Sequence, residues 1–274
     1  MSEVIACANQ KGGVGKTTTV VNLAAYLALS GRRVLVVDLD PQGNATSGLG
    51  LDRTASTGSI YPALLGRAAT RDLARQTQID NLWMVPSGAD LAGAEVELIG
   101  VNQRERRLQQ ALAEIREEFD FILLDCPPAV GLLTVNALTA ADGVLVPIQC
   151  EYYALEGLSQ LLSTINLVRD NLNPRLRLAG VLLTMYDART TLSADVAAEV
   201  RRHLGNSVFA SIVPRSVRLA EAPSYGRPIA RYSPESRGAR AYQALATELI
   251  QRYPSIATGE APHELAVPEM AVGA

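Results

Sequence analysis

Lysine is almost absent from this sequence: of 25 basic residues only two, Lys11 and Lys16, are lysine. Cysteine is scarce as well. Cys7, Cys126 and Cys150 are odd in number, far apart and without C-x-x-C spacing. That pattern argues against a disulfide framework and against a zinc site, and predicts buried, reduced thiols in a cytoplasmic setting. No run of 18 uninterrupted apolar residues occurs, so no transmembrane helix is expected. The first residues, Met1-Ser-Glu-Val-Ile-Ala, lack a basic segment and a long apolar one, so no signal peptide is expected. A net charge of −3 rules out a protein that is basic all over. What remains is an ordinary globular composition, 48% apolar and 19% charged, long enough for one sizeable α/β domain or two small ones.

The average charge hides an asymmetry. Between Arg201 and Tyr253 nine arginines stand against three glutamates, so a basic patch fits on one face of an acidic protein. The lysine count is more informative. A compositional bias towards arginine explains 23 arginines, but under it two lysines confined to a six-residue window call for chemistry. Arginine is a planar fork and lysine a compact point charge on a slim stem, and a tight loop around phosphate oxygens accommodates the second.

Along the chain, strand-like and helix-like segments alternate. Val4 to Ala8, Arg33 to Asp38, Asn81 to Pro86, Phe119 to Asp125, Gly143 to Gln149, Leu178 to Thr184 and Val208 to Val213 read as strands. Several are continuous apolar runs, as in parallel sheets buried on both faces. Thr17 to Ser30, Arg104 to Glu117, Leu132 to Ala140, Ala154 to Asp170 and Arg237 to Arg252 read as helices, the first stopped by Gly31. The alternation predicts an α/β fold: a mainly parallel, doubly wound sheet flanked by helices in three layers. One domain is expected over residues 1–253. Residues 254–274, with proline, glycine and scattered acids but no periodicity, read as a disordered tail.

The chemistry concentrates in Gln10-Lys-Gly-Gly-Val-Gly-Lys-Thr-Thr-Thr19. It follows a strand and opens a helix, the setting a phosphate-binding P-loop requires. Gly12, Gly13 and Gly15 let successive N–H groups turn inward towards phosphate, and the helix N-terminus adds partial positive charge. Lys16 is placed to reach β- and γ-phosphates and the Thr17 hydroxyl to ligate Mg²⁺, so ATP and Mg²⁺ are the expected ligands. The loop departs from G-x-x-x-x-G-K-[ST]: Gln10 replaces the first glycine and Lys11 stands beside it. Asp38-Leu-Asp-Pro-Gln-Gly-Asn44 ends the second strand. One of its two carboxylates suits the metal and the other the attacking water, while a helix cap or Asx-turn before Gly43 is the plainer reading. Asp125 closes a Walker B-like strand and is placed near Mg²⁺.

Lys11-Gly-Gly-Val-Gly-Lys-Thr-Thr-Thr19, Asp38-Leu-Asp-Pro-Gln-Gly-Asn44 and Leu123-Leu-Asp-Cys-Pro-Pro128 together resemble the ParA/MinD deviant Walker A ATPases. Gln149-Cys-Glu-Tyr-Tyr-Ala-Leu-Glu-Gly157, Thr184-Met-Tyr-Asp-Ala-Arg-Thr190 and Pro214-Arg-Ser-Val-Arg-Leu-Ala-Glu-Ala-Pro-Ser224 are similar to the chromosomal ParA (Soj) branch, and the resemblance spans about residues 3–252. It implies a P-loop NTPase fold and an ATP-driven sandwich homodimer in which Lys11 reaches the partner's phosphates. It implies a nucleotide set of Lys11, Gly12, Gly13, Val14, Gly15, Lys16, Thr17 and Thr18, with Met185, Pro214 and Arg215 towards the base. On the same resemblance, Thr17 is expected to hold Mg²⁺ directly, Asp125 to act through water and Asp38 to support the metal shell. It implies Lys11, Lys16 and Asp40 as the catalytic residues, Asp40 positioning the water. It implies a dimer that binds double-stranded DNA without sequence preference through Arg189 and Arg218, with Arg215 a weaker candidate. It also implies a ParB-type partner that stimulates a slow intrinsic hydrolysis, and a cytoplasmic, nucleoid-associated protein.

Three other readings compete. A MinD-like membrane-positioning ATPase requires a C-terminal amphipathic helix with a basic face. Here the last helix runs into Pro254 and an acidic tail, so no membrane partner is expected. A ParA-like cargo-positioning ATPase uses the same machinery. A metabolic P-loop enzyme, amide-forming or reductive, is the third. An iron–sulfur reductase needs cluster cysteines, and Cys126 directly after Asp125 does not have that spacing.

Overall fold

A computed structural model describes residues 2–52, 58–152 and 154–253. The segment read as a tail, 254–274, lies outside them. Eight strands form one sheet: β1 (Glu3–Cys7), β2 (Val34–Asp38), β3 (Arg75–Gln76), β4 (Leu82–Val85), β5 (Phe121–Asp125), β6 (Gly143–Gln149), β7 (Arg177–Tyr186) and β8 (Val208–Pro214), in the order β3-β4-β2-β5-β1-β6-β7-β8. Every pairing is parallel except that of the two-residue edge strand β3 with β4. The chain therefore winds outward from β1 in both directions, which makes the ends of β1 and its neighbours the topological switch point where such sheets bind ligands.

The strands are apolar throughout because both faces are covered. Val4, Ala6, Leu35 and Val37 pack into one core, beneath the helices Leu91–Leu98, Arg107–Ala113, Leu132–Ala140, Ala154–Asn171 and Thr191–Leu204. Ile5, Cys7, Val34 and Val36 alternate to the opposite core, beneath the helices Lys16–Leu29 and Arg237–Arg252. This is the expected three-layer, doubly wound arrangement. The three cysteines are buried free thiols, and no helix among the described residues is long and apolar enough to cross a membrane.

Two stretches differ from the sequence reading. Arg104 to Glu117 is not one helix: a 3-10 turn at Arg104–Arg106, an α-helix at Arg107–Ala113 and a second 3-10 turn at Arg116–Glu118 replace it. The buried Asn136 side chain accepts from the Leu108 amide at 3.1 Å and donates to the Arg104 carbonyl at 2.8 Å. It thereby takes backbone groups that a continuous helix would pair internally. The helix Thr191–Leu204, capped by the Thr190 hydroxyl, fills a segment the sequence left unassigned.

Candidate nucleotide and metal site

Parallel register brings three strand ends together. Asp125 at the end of β5 pairs with Cys7 of β1 on one side and with Asp38 of β2 on the other. The Gln10–Thr19 segment leaves β1 directly between these ends. Asn9 anchors its start, donating from Nδ2 to the Pro147 carbonyl at 2.8 Å and accepting the Lys11 amide at 3.0 Å. Gly13 and Gly15 take φ values of +76° and +91°, a region L side chains adopt at a cost, and Gly15 caps the helix Lys16–Leu29. Thr184 at the end of β7 donates to the Val14 carbonyl at 2.8 Å and ties the loop to the far side of the sheet.

Two adjoining clefts open on this loop. One, of about 340 Å³, is lined by Gly12, Gly13, Gly15, Lys16, Thr17, Thr18, Asp40, Gln42, Asn44, Pro128 and Met185. The other, of about 260 Å³, lies between Gly15, Thr18, Met185, Pro214, Arg215, Leu219 and Tyr242. The first brings the loop glycines together with Lys16, Thr17 and Asp40; the second is largely apolar. Met185 lines both. It adopts φ +50°, unusual outside glycine, and so turns the chain sharply at the end of β7.

The two lysines behave differently. Lys16 is buried, and its Nζ donates to the Lys11 carbonyl at 3.2 Å, inside the loop. The Lys11 side chain is about 42% exposed and pairs instead with Glu151 at the end of β6, Nζ to Oε2 3.2 Å. Arg215 approaches the same carboxylate at 3.8 Å, and Gln149 donates to it. Glu151, absent from the sequence-based site, is thus the shared acid between the second lysine and a candidate DNA arginine. Only folding brings it there, from 140 residues away.

The carboxylates also differ. Asp38 is fully buried and its oxygens take three donors: the Asp40 amide at 3.1 Å, the Thr46 amide at 2.9 Å and the Thr46 hydroxyl at 2.7 Å. Burial pushes its pKa up to about 6 against the pull of those donors. Asp40 lines the phosphate cleft and accepts the Gln42 amide at 3.0 Å. Asp125 is fully buried, and neither of its oxygens has a hydrogen-bond partner among the described residues. Burial, then the charge of Asp38, holds its carboxyl well above the usual range, with Thr17 and Lys16 opposing the rise. A buried carboxylate whose neighbouring donor, the Thr17 hydroxyl, falls outside hydrogen-bond geometry is, with that hydroxyl, an oxygen donor set that a hard divalent cation satisfies.

The three arginines assigned to DNA gather near the ends of β7 and β8. Arg189 is 86% exposed and forks onto Asp187 at 2.9 and 2.7 Å, which holds that carboxyl well below its usual range. Arg218 pairs with Glu221 at 3.0 Å, and Arg215 follows β8 directly. Exposed pairs of this kind are screened by solvent and held weakly, so exchanging the acid for a phosphate carries little penalty.

A family model described as an AAA domain matches residues 2–178. The sporulation initiation inhibitor protein Soj of Bacillus subtilis is 53% identical over 249 residues, covering 91% of this chain and 98% of Soj. The chromosome partitioning protein ParA of Myxococcus xanthus is 54% identical over 252 residues, covering 92% of this chain and 89% of ParA. Among solved structures, a Mycobacterium smegmatis protein described as cobyrinic acid a,c-diamide synthase, with an ATP analogue and magnesium bound, superposes with a TM-score of 0.82. It is 42% identical, and the match covers 93% of this chain and 97% of that one.

Proposed function

This chain belongs to the Soj/ParA family of chromosome-partitioning ATPases, and from that premise we propose that residues 1–253 form an ATP-gated DNA-partitioning switch. ATP and Mg²⁺ bind in the adjoining clefts, two copies close over two nucleotides, and the dimer holds DNA. A ParB-type partner then stimulates hydrolysis and releases it, and intrinsic turnover is slow.

The observation that carries this reading is the pairing of the two-lysine loop with the unpartnered, buried Asp125 at one strand end. The N–H groups of Gly12 to Thr18 and the ammonium of Lys16 take the phosphates, and the Met185–Pro214–Arg215 wall takes the base. Thr17 would hold magnesium directly and Asp125 through water, with Asp38 fixing the neighbouring backbone. Held by these residues, magnesium would supply charge neutralisation for the triphosphate. Asp40, in the wall of the phosphate cleft, orients the attacking water. Lys11 leaves Glu151 and reaches the partner copy's phosphates. Arg189, Arg218 and Arg215 contact DNA backbone, and dimerisation doubles the patch of an otherwise acidic protein.

The diamide-synthase description of the Mycobacterium smegmatis structure makes amide formation the competing reading. One assay separates them: ATP turnover with Mg²⁺ and duplex DNA, with and without a ParB-type partner, run once without and once with a carboxylate acceptor and an amide donor. The switch turns over slowly alone and faster with DNA and partner, and its DNA retention falls steeply with salt. Turnover that appears only with an acceptor and an amide donor contradicts it.

A further inference from the structure

Behind Asp38 and Asp40 lies a pair of buried hydroxyls that no part of the nucleotide set includes. Thr46, fully buried after β2, donates its hydroxyl to Asp38 Oδ2 at 2.7 Å and its amide to the same oxygen at 2.9 Å. Its hydroxyl oxygen in turn accepts the amide of Ser87, just beyond β4, at 3.0 Å. Ser87, also buried, donates its own hydroxyl to the Asp40 carbonyl at 2.6 Å. A closed circuit results, from the Asp40 backbone through Ser87 and Thr46 to Asp38, and back through the Asp40 amide to Asp38 Oδ1 at 3.1 Å. The Ser87 amide occupies one lone pair of the Thr46 oxygen, and its proton is directed onto Asp38 Oδ2. Every donor in the ring is used, so the loop carrying Asp40 is fixed to the segment that follows β4, which does not itself line the cleft.

We propose that Thr46 and Ser87 are positioning residues for ATP hydrolysis: a buried hydroxyl relay from β4 that sets where the Asp40 carboxylate stands relative to the γ-phosphate. Neither lines the two clefts, so they act through Asp38 and Asp40. This rests on the reading of Asp40 as the residue that orients the water. Geometric misplacement of such a group by about 1 Å costs on the order of 100-fold in rate without weakening binding. The relay therefore belongs to turnover and not to affinity.

The test compares Thr46→Val, Thr46→Ser and Ser87→Ala with wild type in single-turnover ATP hydrolysis, a fluorescent-nucleotide titration, and amide hydrogen exchange of the nucleotide-free protein. The relay requires Thr46→Val and Ser87→Ala to lose at least about 10-fold in turnover with nucleotide affinity within about 2-fold of wild type. Thr46→Ser recovers most of the rate. The double variant is no slower than the worse single one, because the two hydroxyls act as one unit. Without nucleotide, amides from Asp40 to Thr46 exchange faster in both deletion variants, while strand amides of β1 and β5 do not. If Thr46→Val fails to fold, Ser87→Ala decides. Turnover within 2-fold of wild type, affinity lost in step with turnover, or no change in loop exchange overturns the relay. A wild type with no ATP turnover overturns the functional reading instead, and loop exchange still decides the relay.

Discussion

At the scale of single residues, Lys16, the glycines, Thr17 and Asp125 were legible because each is fixed by its distance along the chain from a strand end. Lys11 was legible for a different reason, the near absence of lysine elsewhere. Glu151, Thr46 and Ser87 were not. They are ordinary residue types, and only the parallel register of β4, β2 and β6 brings them to the loop. The division of labour among the residues makes a prediction. Lys16 is buried inside the loop, so Lys16→Ala removes a desolvated charge partner of phosphate and should weaken ATP binding by about 2–5 kcal/mol. Asp40 lines the cleft from just beyond the end of β2, outside the phosphate-binding loop, so Asp40→Ala should bind ATP within a few-fold of wild type while turnover falls roughly 100-fold or more. Nucleotide titration and single-turnover hydrolysis of the two variants check the contrast; equal loss of binding in both contradicts it.

At the scale of elements, the strands were legible as apolar runs and most helices as periodic segments. Short connecting helices and the two-residue β3 carry too few residues for a period. The charged Arg104 to Glu117 stretch misled because its helical pattern is real, while a side chain from another helix, Asn136, interrupts the backbone pairing. Gly180 shows the same limit inside a strand. It lies where the register of β6 and β7 shifts, and an added Cβ would come within 2.8 Å of Arg252 Nη1 and of the Phe209 ring. Arg252 stacks over that ring at 3.9 Å and donates to the Ala179 and Val208 carbonyls at 3.2 Å each, locking the last helix onto the sheet. Gly180→Ala should therefore destabilise by roughly 1–3 kcal/mol, read as a lower urea midpoint. An unchanged midpoint would show that the last helix has room to shift.

At the scale of the whole molecule, the sheet has two chemically distinct ends. The nucleotide clefts occupy one. At the other, Glu3 is ion-paired with Arg177 at 2.6 Å, with Asp142, Arg116 and Tyr253 also facing it. Burial outweighs Arg177 and pushes the Glu3 pKa up to about 7 from 4.5. Folded protein then binds more protons at Glu3 than unfolded protein between about pH 4.5 and 7, so this group's contribution to stability falls as pH rises through that window. The effect is on the order of 1–3 kcal/mol. Glu3→Gln should flatten that part of the stability–pH curve in chemical denaturation; an unchanged slope removes Glu3 as its source.

The self-association proposed for the whole chain would give the second lysine its meaning. A loop that served its own nucleotide alone would need only Lys16, and Lys11 instead rests on Glu151, ready to be exchanged for a stronger anion. The most direct measurement is molar mass by size exclusion with light scattering, for wild type and Lys11→Ala, with Mg²⁺ plus ATP, ADP or no nucleotide. Wild type should double in mass with ATP alone, while Lys11→Ala stays monomeric in ATP although titration shows ATP bound. A wild type that remains monomeric in saturating ATP, or a Lys11→Ala protein that dimerises as readily as wild type, would contradict the two-lysine switch.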